Sequence, residues 1–432
     1  MSKTLLAATL LAALSPAQSG PLPLRGISLE LAQARARQIS EVQYRLWFGL
    51  DEGLRRCRGR ATLRFDLAEA DEVVVDAELL DIESLAINGK PTAKGKGWRQ
   101  HEDHLILDAT SMVAGTNSME VSFHAKAAPT GSPLTLFHDK KTDQDYYYTL
   151  VVPADAHRLF PCFDQPDLKA KFKLTLEVPA AWVAVGNGAQ LGPPIEKQGR
   201  KVFDFAETRP LSTYLFAFAT GPFLELQGPL LEGPGKGIPY RIFLRESANN
   251  ETDVQQIQVM HERALSRLGK YFGILYPFGK LDIVLCPGFP YSGMEHAGAI
   301  FYRENALIYD KRPTLAQQLR RSTLIYHELT HQWFGNLVTM KWFDDLWLKE
   351  GFATFVGYKM LDDLEPRKKA WLRFLQRIKP NAYRIDATRG TTPVYQKLRN
   401  LDDAKSQYLS LIHIHRCRRS CAFDLRCTLL QR

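Results

Sequence analysis

His327-Glu328-Leu329-Thr330-His331 is the stretch from which the rest of the chain can be read. On an α-helix, a separation of four residues rotates a side chain by about 40° and advances it by about 6 Å. The two imidazoles therefore share one face, one turn apart, where both can reach a single small cation. Zinc takes imidazole nitrogen readily and keeps an open position in catalytic sites, so His327 and His331 are the first two expected metal ligands. Glu328, beside the first of them, is placed to take a proton from an attacking water and is the expected general base. The flanking Leu324, Ile325, Trp333 and Phe334 make this helix largely apolar and predict that it is buried. Burying two histidines and a glutamate without a metal or partners is costly.

A catalytic zinc needs a third protein ligand. The next helical segment offers Glu350, set among Trp347, Leu348, Phe352 and Phe355, where an unpaired carboxylate is unwelcome. Eighteen residues separate it from His331, enough for a helix end, a connection and the first turns of a returning helix.

Upstream, the chain divides by pattern. From about Ile27 to Phe223, short alternating runs such as Ala61-Thr62-Leu63-Arg64-Phe65 and Lys171-Phe172-Lys173-Leu174-Thr175-Leu176 predict strands. Turn signals such as Asn88-Gly89 and Asn187-Gly188 separate them. After Gly221-Pro222 and a Gly/Pro-rich loop, helical spacing takes over, with Val254, Ile257, Met260, Leu265 and Leu268 ending near Gly269. A strand is expected at Leu281–Cys286. Helices are expected from Thr314 to about Phe334 and from about Leu346 to Leu364.

The stretch from His327 through Gly335-Asn336-Leu337-Val338-Thr339-Met340-Lys341-Trp342 to Glu350-Gly351-Phe352-Ala353 resembles the signature of the aminopeptidase N-like zinc peptidases, a family that includes leukotriene hydrolase. Ser292-Gly293-Met294-Glu295-His296-Ala297-Gly298-Ala299-Ile300 resembles the family strand that lies along the substrate. The resemblance implies that Gly293, Met294 and Glu295 bind substrate, with the Glu295 carboxylate gripping its free α-amine. His296 stands where the family usually has asparagine. Phe160-Pro161-Cys162-Phe163-Asp164-Gln165-Pro166-Asp167-Leu168-Lys169-Ala170 resembles a third signature, in the N-terminal sheet domain. The likeness runs from about residue 27 to Tyr408. It implies an α+β multidomain chain, with an N-terminal β-sandwich or saddle domain (20–224) and a thermolysin-like, helix-rich zinc domain (225–408, incomplete). It also implies one catalytic Zn2+ and peptide substrates with a free N-terminus.

Two departures from the family bear on catalysis. Many members carry a further Glu or Gln that helps hold the amine. Here that position counts to Val152, with Asp155 the nearby carboxylate. The family tyrosine that steadies the oxyanion falls in the window Leu411-Ile412-His413-Ile414-His415, where there is none. Beyond Tyr408 the likeness stops. Residues 409–432, with Cys417, Cys421, Cys427 and five arginines, read as sequence foreign to the family rather than as a second metal site. A metal-binding but catalytically silent scaffold is therefore the alternative to an aminopeptidase. An endopeptidase or epoxide hydrolase is a third reading.

The bulk numbers agree with a globular chain of 432 residues, 45% hydrophobic and 24% charged, long enough for two domains. Of the formal net charge of +9, the tail supplies a large part and no long basic run remains in the body. Nothing here calls for nucleic acid. Lys3, the apolar run Thr4–Leu14 and the small residues Ser15-Pro16-Ala17-Gln18-Ser19 read as a signal peptide over 1–19, too short to span a bilayer. Export to a periplasmic or extracellular location is thus expected. Cys57, Cys162 and Cys286 read as buried hydrophobes rather than a disulfide framework. Oligomeric state, N-terminal residue preference and physiological substrate are not encoded in any motif.

Overall fold

The computed structural model describes residues 23–404, apart from 79, 130, 131, 234–236, 310, 390 and 392. The signal-peptide run, Tyr408 and the arginine-rich tail lie outside the described residues.

Period-two alternation builds the first half of the chain. In β2 (Arg56–Leu67), Arg56, Arg58, Arg60 and Arg64 face out while Cys57, Ala61, Leu63, Phe65 and Leu67 face in. It pairs antiparallel with β1 (Ile39–Gly49) and with β3 (Gly115–Ala128), all within one twelve-stranded sheet. On its other side β1 lies parallel to β4 (Lys171–Pro179), with Gln43 opposite Lys171. The Asn88-Gly89 turn has both residues at positive φ, 50° and 74°, and joins Asp81–Ile87 to Lys90–Pro91. Asn187-Gly188 is more than a turn. The buried Asn187 amide donates to Leu215 O at 2.9 Å and, in the second half of the chain, to Ala297 O at 3.0 Å.

The Phe160–Ala170 segment explains its own conspicuousness. Its Asp164 accepts from the His157 backbone N–H, from His157 Nδ1 at 2.8 Å and from Thr213 Oγ1 at 2.6 Å. The Asp164 N–H in turn donates to Asp76, whose carboxylate is held by Arg35, on helix α1 (Leu29–Gln38), and by His104. All these side chains are buried, so the network is tolerable only because each charge finds an opposite one. Cys57, Cys162 and Cys286 are free and buried, as read from the sequence.

The second half centres on a five-stranded sheet containing β5 (Tyr240–Leu244), β6 (Leu281–Cys286), β7 (Gly293–Met294) and β8 (Ala299–Arg303). Helix α2 (Glu251–Phe272) buries Val254, Ile257, Leu265 and Leu268 and stops at Gly273, left-handed at φ 67°. Helix α3 (Leu315–His331) opens on a capping box in which Thr314 and Gln317 satisfy each other's backbone N–H. Helix α4 (Trp347–Leu364) ends before Pro366. The sequence therefore expects α2, α3 and α4, ends α2 about a turn early at Gly269, overextends α3 by about one turn at its C-terminus and does not anticipate α1. The β-rich half followed by a helix-rich half is the α+β architecture expected. No helix among the described residues is long and apolar enough to cross a membrane.

The Asp164 network makes stability depend on pH. Burial opposes protonation of His157, but Asp164 and Glu78 outweigh it and push its pKa up to about 10 from 6.5. A raised folded-state pKa stabilises fully below the unfolded value and is lost as pH rises through the folded one. Unfolding free energy should therefore fall between about pH 6.5 and 10. Denaturant titration of His157→Gln should show a less stable protein whose alkaline decline is flattened; an unchanged slope would refute this role.

Candidate metal centre and active site

Helices α3 and α4 are pressed together where glycine allows it. A Cβ on Gly357 would lie 3.3 Å from the His327 backbone nitrogen and 3.6 Å from Thr323 O. With Glu350 beside His331 and Gly357 beside His327, the helices run antiparallel and one carboxylate faces two imidazoles.

His327 Nε2 and His331 Nε2 are 3.0 Å apart, and Glu350 Oε2 is 3.4 Å from the first and 3.6 Å from the second. Ligands at about 2.0–2.1 Å from a tetrahedral zinc stand about 3.3 Å from one another. The triangle has the size that a zinc ion requires, and its donors, two imidazoles and a carboxylate, are those zinc takes. Further contacts orient each donor. His331 Nδ1 bonds Phe334 O at 2.9 Å, which fixes the tautomer and leaves Nε2 bare. His327 Nδ1 lies 3.4 Å from Thr354 Oγ1. Glu350 sits in the first turn of α4, where the helix dipole favours a carboxylate.

Glu328 is buried on the same face of α3 and packs against β7, where a Cβ on Gly293 would fall 2.5 Å from its Oε1. Burial raises its pKa well above the usual carboxylate range, with His331 pulling against that and Glu295 and Glu350 adding to it. Glu295 is 2% exposed and its backbone carbonyl is gripped by Gln332 Nε2 at 3.0 Å and Asn336 Nδ2 at 2.7 Å. Its carboxylate can come within 4.8 Å of those of Glu328 and His331's ring nitrogen. These groups line a cavity of about 420 Å³, which Ser292, Gly293 and Thr354 also border. Met294 is placed differently. Its side chain is buried in the core and does not border the cavity, so only its backbone is near the site.

Lys349 is the residue that the sequence did not point to. Beside a ligand in the first turn of a helix, it reads as one more solvated lysine. Its ammonium is buried instead, paired with Glu295 and 3.5 Å from Glu350 Oε1, over the face of Tyr214 at 4.7 Å. One internal cation thus offsets part of the charge of the acids gathered here. Its stem passes Gly335, whose φ of 126° suits glycine and where a Cβ would stand 3.1 Å from Lys349 Cγ. His296 is also buried. Burial drives its pKa down to about 3 and its ring packs edge-on against Phe301, so it is a neutral group of the core behind Glu295 rather than an added base.

The sheet domain reaches this loop directly. Lys169, from the Phe160–Ala170 segment, donates to Asn336 O at 3.1 Å and Leu337 O at 3.0 Å, and Tyr214 OH donates to Gly335 O at 2.9 Å. Val152, where the family resemblance sought an amine-holding side chain, is a buried apolar residue. Removing the buried cation without its acids should cost about 3–5 kcal/mol. Lys349→Met is expected to lose that much in denaturant unfolding and Lys349→Arg much less. Equal stability of Lys349→Met and the parent would contradict the pairing.

Comparison with known proteins gives the same answer from another direction. Residues 41–215 match the Peptidase M1 N-terminal domain, and residues 258–413 match the Peptidase family M1 domain. Aminopeptidase N of Streptomyces lividans is 31% identical over 389 residues, 88% of this chain and 44% of that protein. Leucyl aminopeptidase of Saccharolobus solfataricus is 33% identical over 343 residues, 79% of this chain and 42% of that protein. Aminopeptidase M1 of Arabidopsis thaliana is 30% identical over 361 residues, 80% and 40% of the respective chains. The chain thus spans less than half the length of these relatives. Two consecutive domain matches, in the family's order and around a ligand triangle of zinc dimensions, place the chain in peptidase family M1.

Proposed function

We propose that the protein is a zinc-dependent aminopeptidase that removes single residues from peptides with a free N-terminus. The observation that carries this reading is the convergence of His327, His331 and Glu350 on one point with Glu328 beside it. The names of the relatives, all aminopeptidases, support it. Bound zinc would supply Lewis acidity toward a water and toward the scissile carbonyl.

The chain's own groups do the rest. Glu328 accepts a proton from the attacking water and returns it to the leaving amine nitrogen. Gly293 sets where that carboxylate can sit, since its missing side chain leaves the space Glu328 fills. Glu295, at the same end of the cavity, takes the substrate ammonium, and its fixed distance from the ligands selects the first peptide bond. The buried walls keep bulk water from these charges and strengthen them. The apolar run Thr4–Leu14, read as a signal peptide, goes with an exported enzyme.

The silent-scaffold alternative draws on the absence of tyrosine from 411–415, a window outside the described residues. Activity decides between the two. The zinc-loaded chain should cleave an aminoacyl-nitroanilide, lose this on chelation and regain it with zinc. Its N-acetylated counterpart should remain uncut. Glu328→Gln should keep one zinc per chain while turnover falls by about 10²–10⁴. Gly293→Ala should also hold zinc and turn over more slowly, because its methyl displaces the Glu328 carboxylate. Stoichiometric zinc without any turnover would sink the aminopeptidase reading in favour of the silent scaffold.

A further inference from the structure

The cavity that holds the metal ligands is charged unevenly from end to end. Glu295 and Glu328 gather with His331 at the C-terminal end of α3, and Glu350 joins them there. Arg320 lines the other end, together with Tyr309 and Gln317, and among the described residues no carboxylate lines that end, while Arg303 borders the same cavity beside Ser292. Arg320, Leu324, His327, Glu328 and His331 follow one another along a single stripe of α3, so the cavity runs the length of this helix face. Helix rise sets Arg320 about 10 Å along the axis from His327. Its long side chain leans further toward the N-terminal end. Arg303 is anchored to the wall by bonds to Phe289 O and Pro290 O. Arg320 is exposed, and among the described residues neither arginine is paired with a carboxylate of this chain.

We propose that the basic end is a carboxylate subsite, and that the substrates are short peptides of about four residues with both termini free. This rests on the aminopeptidase reading for the direction of the chain. With the ammonium at Glu295 and the first peptide bond beside His327 and His331, the remaining residues extend along α3 toward Arg320. An extended chain covers about 3.3–3.6 Å per residue, so about three residues bridge the distance from the cleaved bond to the guanidinium. A zwitterionic peptide of that length carries its charges opposite to those of the cavity at both ends. Arg320 binds the C-terminal carboxylate, and Arg303, on the wall of the same cavity, adds positive potential.

The test is binding to zinc-loaded Glu328→Gln protein, which holds peptide without cutting it. Calorimetry with tetra-alanine and with tetra-alanine amide compares the free carboxylate with its neutral counterpart. The acid should bind at least about tenfold more tightly, as expected for a charge-assisted contact. Adding Arg320→Gln should bring the ratio close to one. Adding Arg312→Gln instead, which removes an exposed arginine outside the cavity, should leave the ratio standing. Equal binding of acid and amide to the parent overturns the subsite. So does a collapse of the ratio in Arg312→Gln, which would assign it to the general field of the surface. If wild-type protein turns over no aminoacyl-nitroanilide while the ratio holds, the hydrolase reading fails and the subsite stands.

Discussion

Three donor atoms that repel or ignore one another in water are held within 3.0–3.6 Å, inside a buried pocket that also contains two more carboxylates. Several buried carboxylates share that pocket, and much of the surrounding structure can be understood as what makes it bearable. Gly357 lets two helices approach until Glu350 reaches the histidines. Phe334 O fixes the His331 tautomer, and the first turn of α4 offers its dipole to Glu350. Lys349 supplies an internal positive charge for the buried acids. A divalent ion between the three donors would complete the balance.

The sheet domain takes part in the same task from outside. Its Lys169 and Tyr214 hold backbone carbonyls at 335–337, directly after the second histidine, and its Asn187 holds Ala297 O, directly after Glu295 and His296. Two stretches that carry site residues are thus pinned by hydrogen bonds from a domain that contributes no metal ligand. Within that domain the charge network around Asp164 and Asp76 ties α1 to the Phe160–Ala170 segment. This links a conspicuous motif in the first half of the chain to the placement of groups in the second.

What could be read in the sequence was whatever is local. The histidine spacing, the Thr314 cap and the alternation of β2 each follow from a few consecutive residues and fix one element, whereas α2 runs on past Gly269, where the pattern ended it, to Gly273. The meeting of Glu350 with the two histidines was legible because an apolar helix face leaves an unpaired carboxylate costly. Long-range pairing was not. The parallel join of β1 to β4 brings together residues more than a hundred positions apart. Lys349 meets Glu295 only because the loop after α3 turns through Gly335. Met294 looked like part of a substrate strand, and the period of two sends its side chain into the core while Gly293 and Glu295 border the cavity.

The central claim is that one zinc ion sits between these three side chains. Anomalous diffraction at the zinc edge, on crystals of protein purified without added metal and soaked in stoichiometric zinc, tests it without reference to activity. The account predicts one peak per chain, about 2.0–2.2 Å from the two histidine Nε2 atoms and a Glu350 oxygen. A map with no peak there, or with its zinc bound elsewhere on the chain, would contradict it.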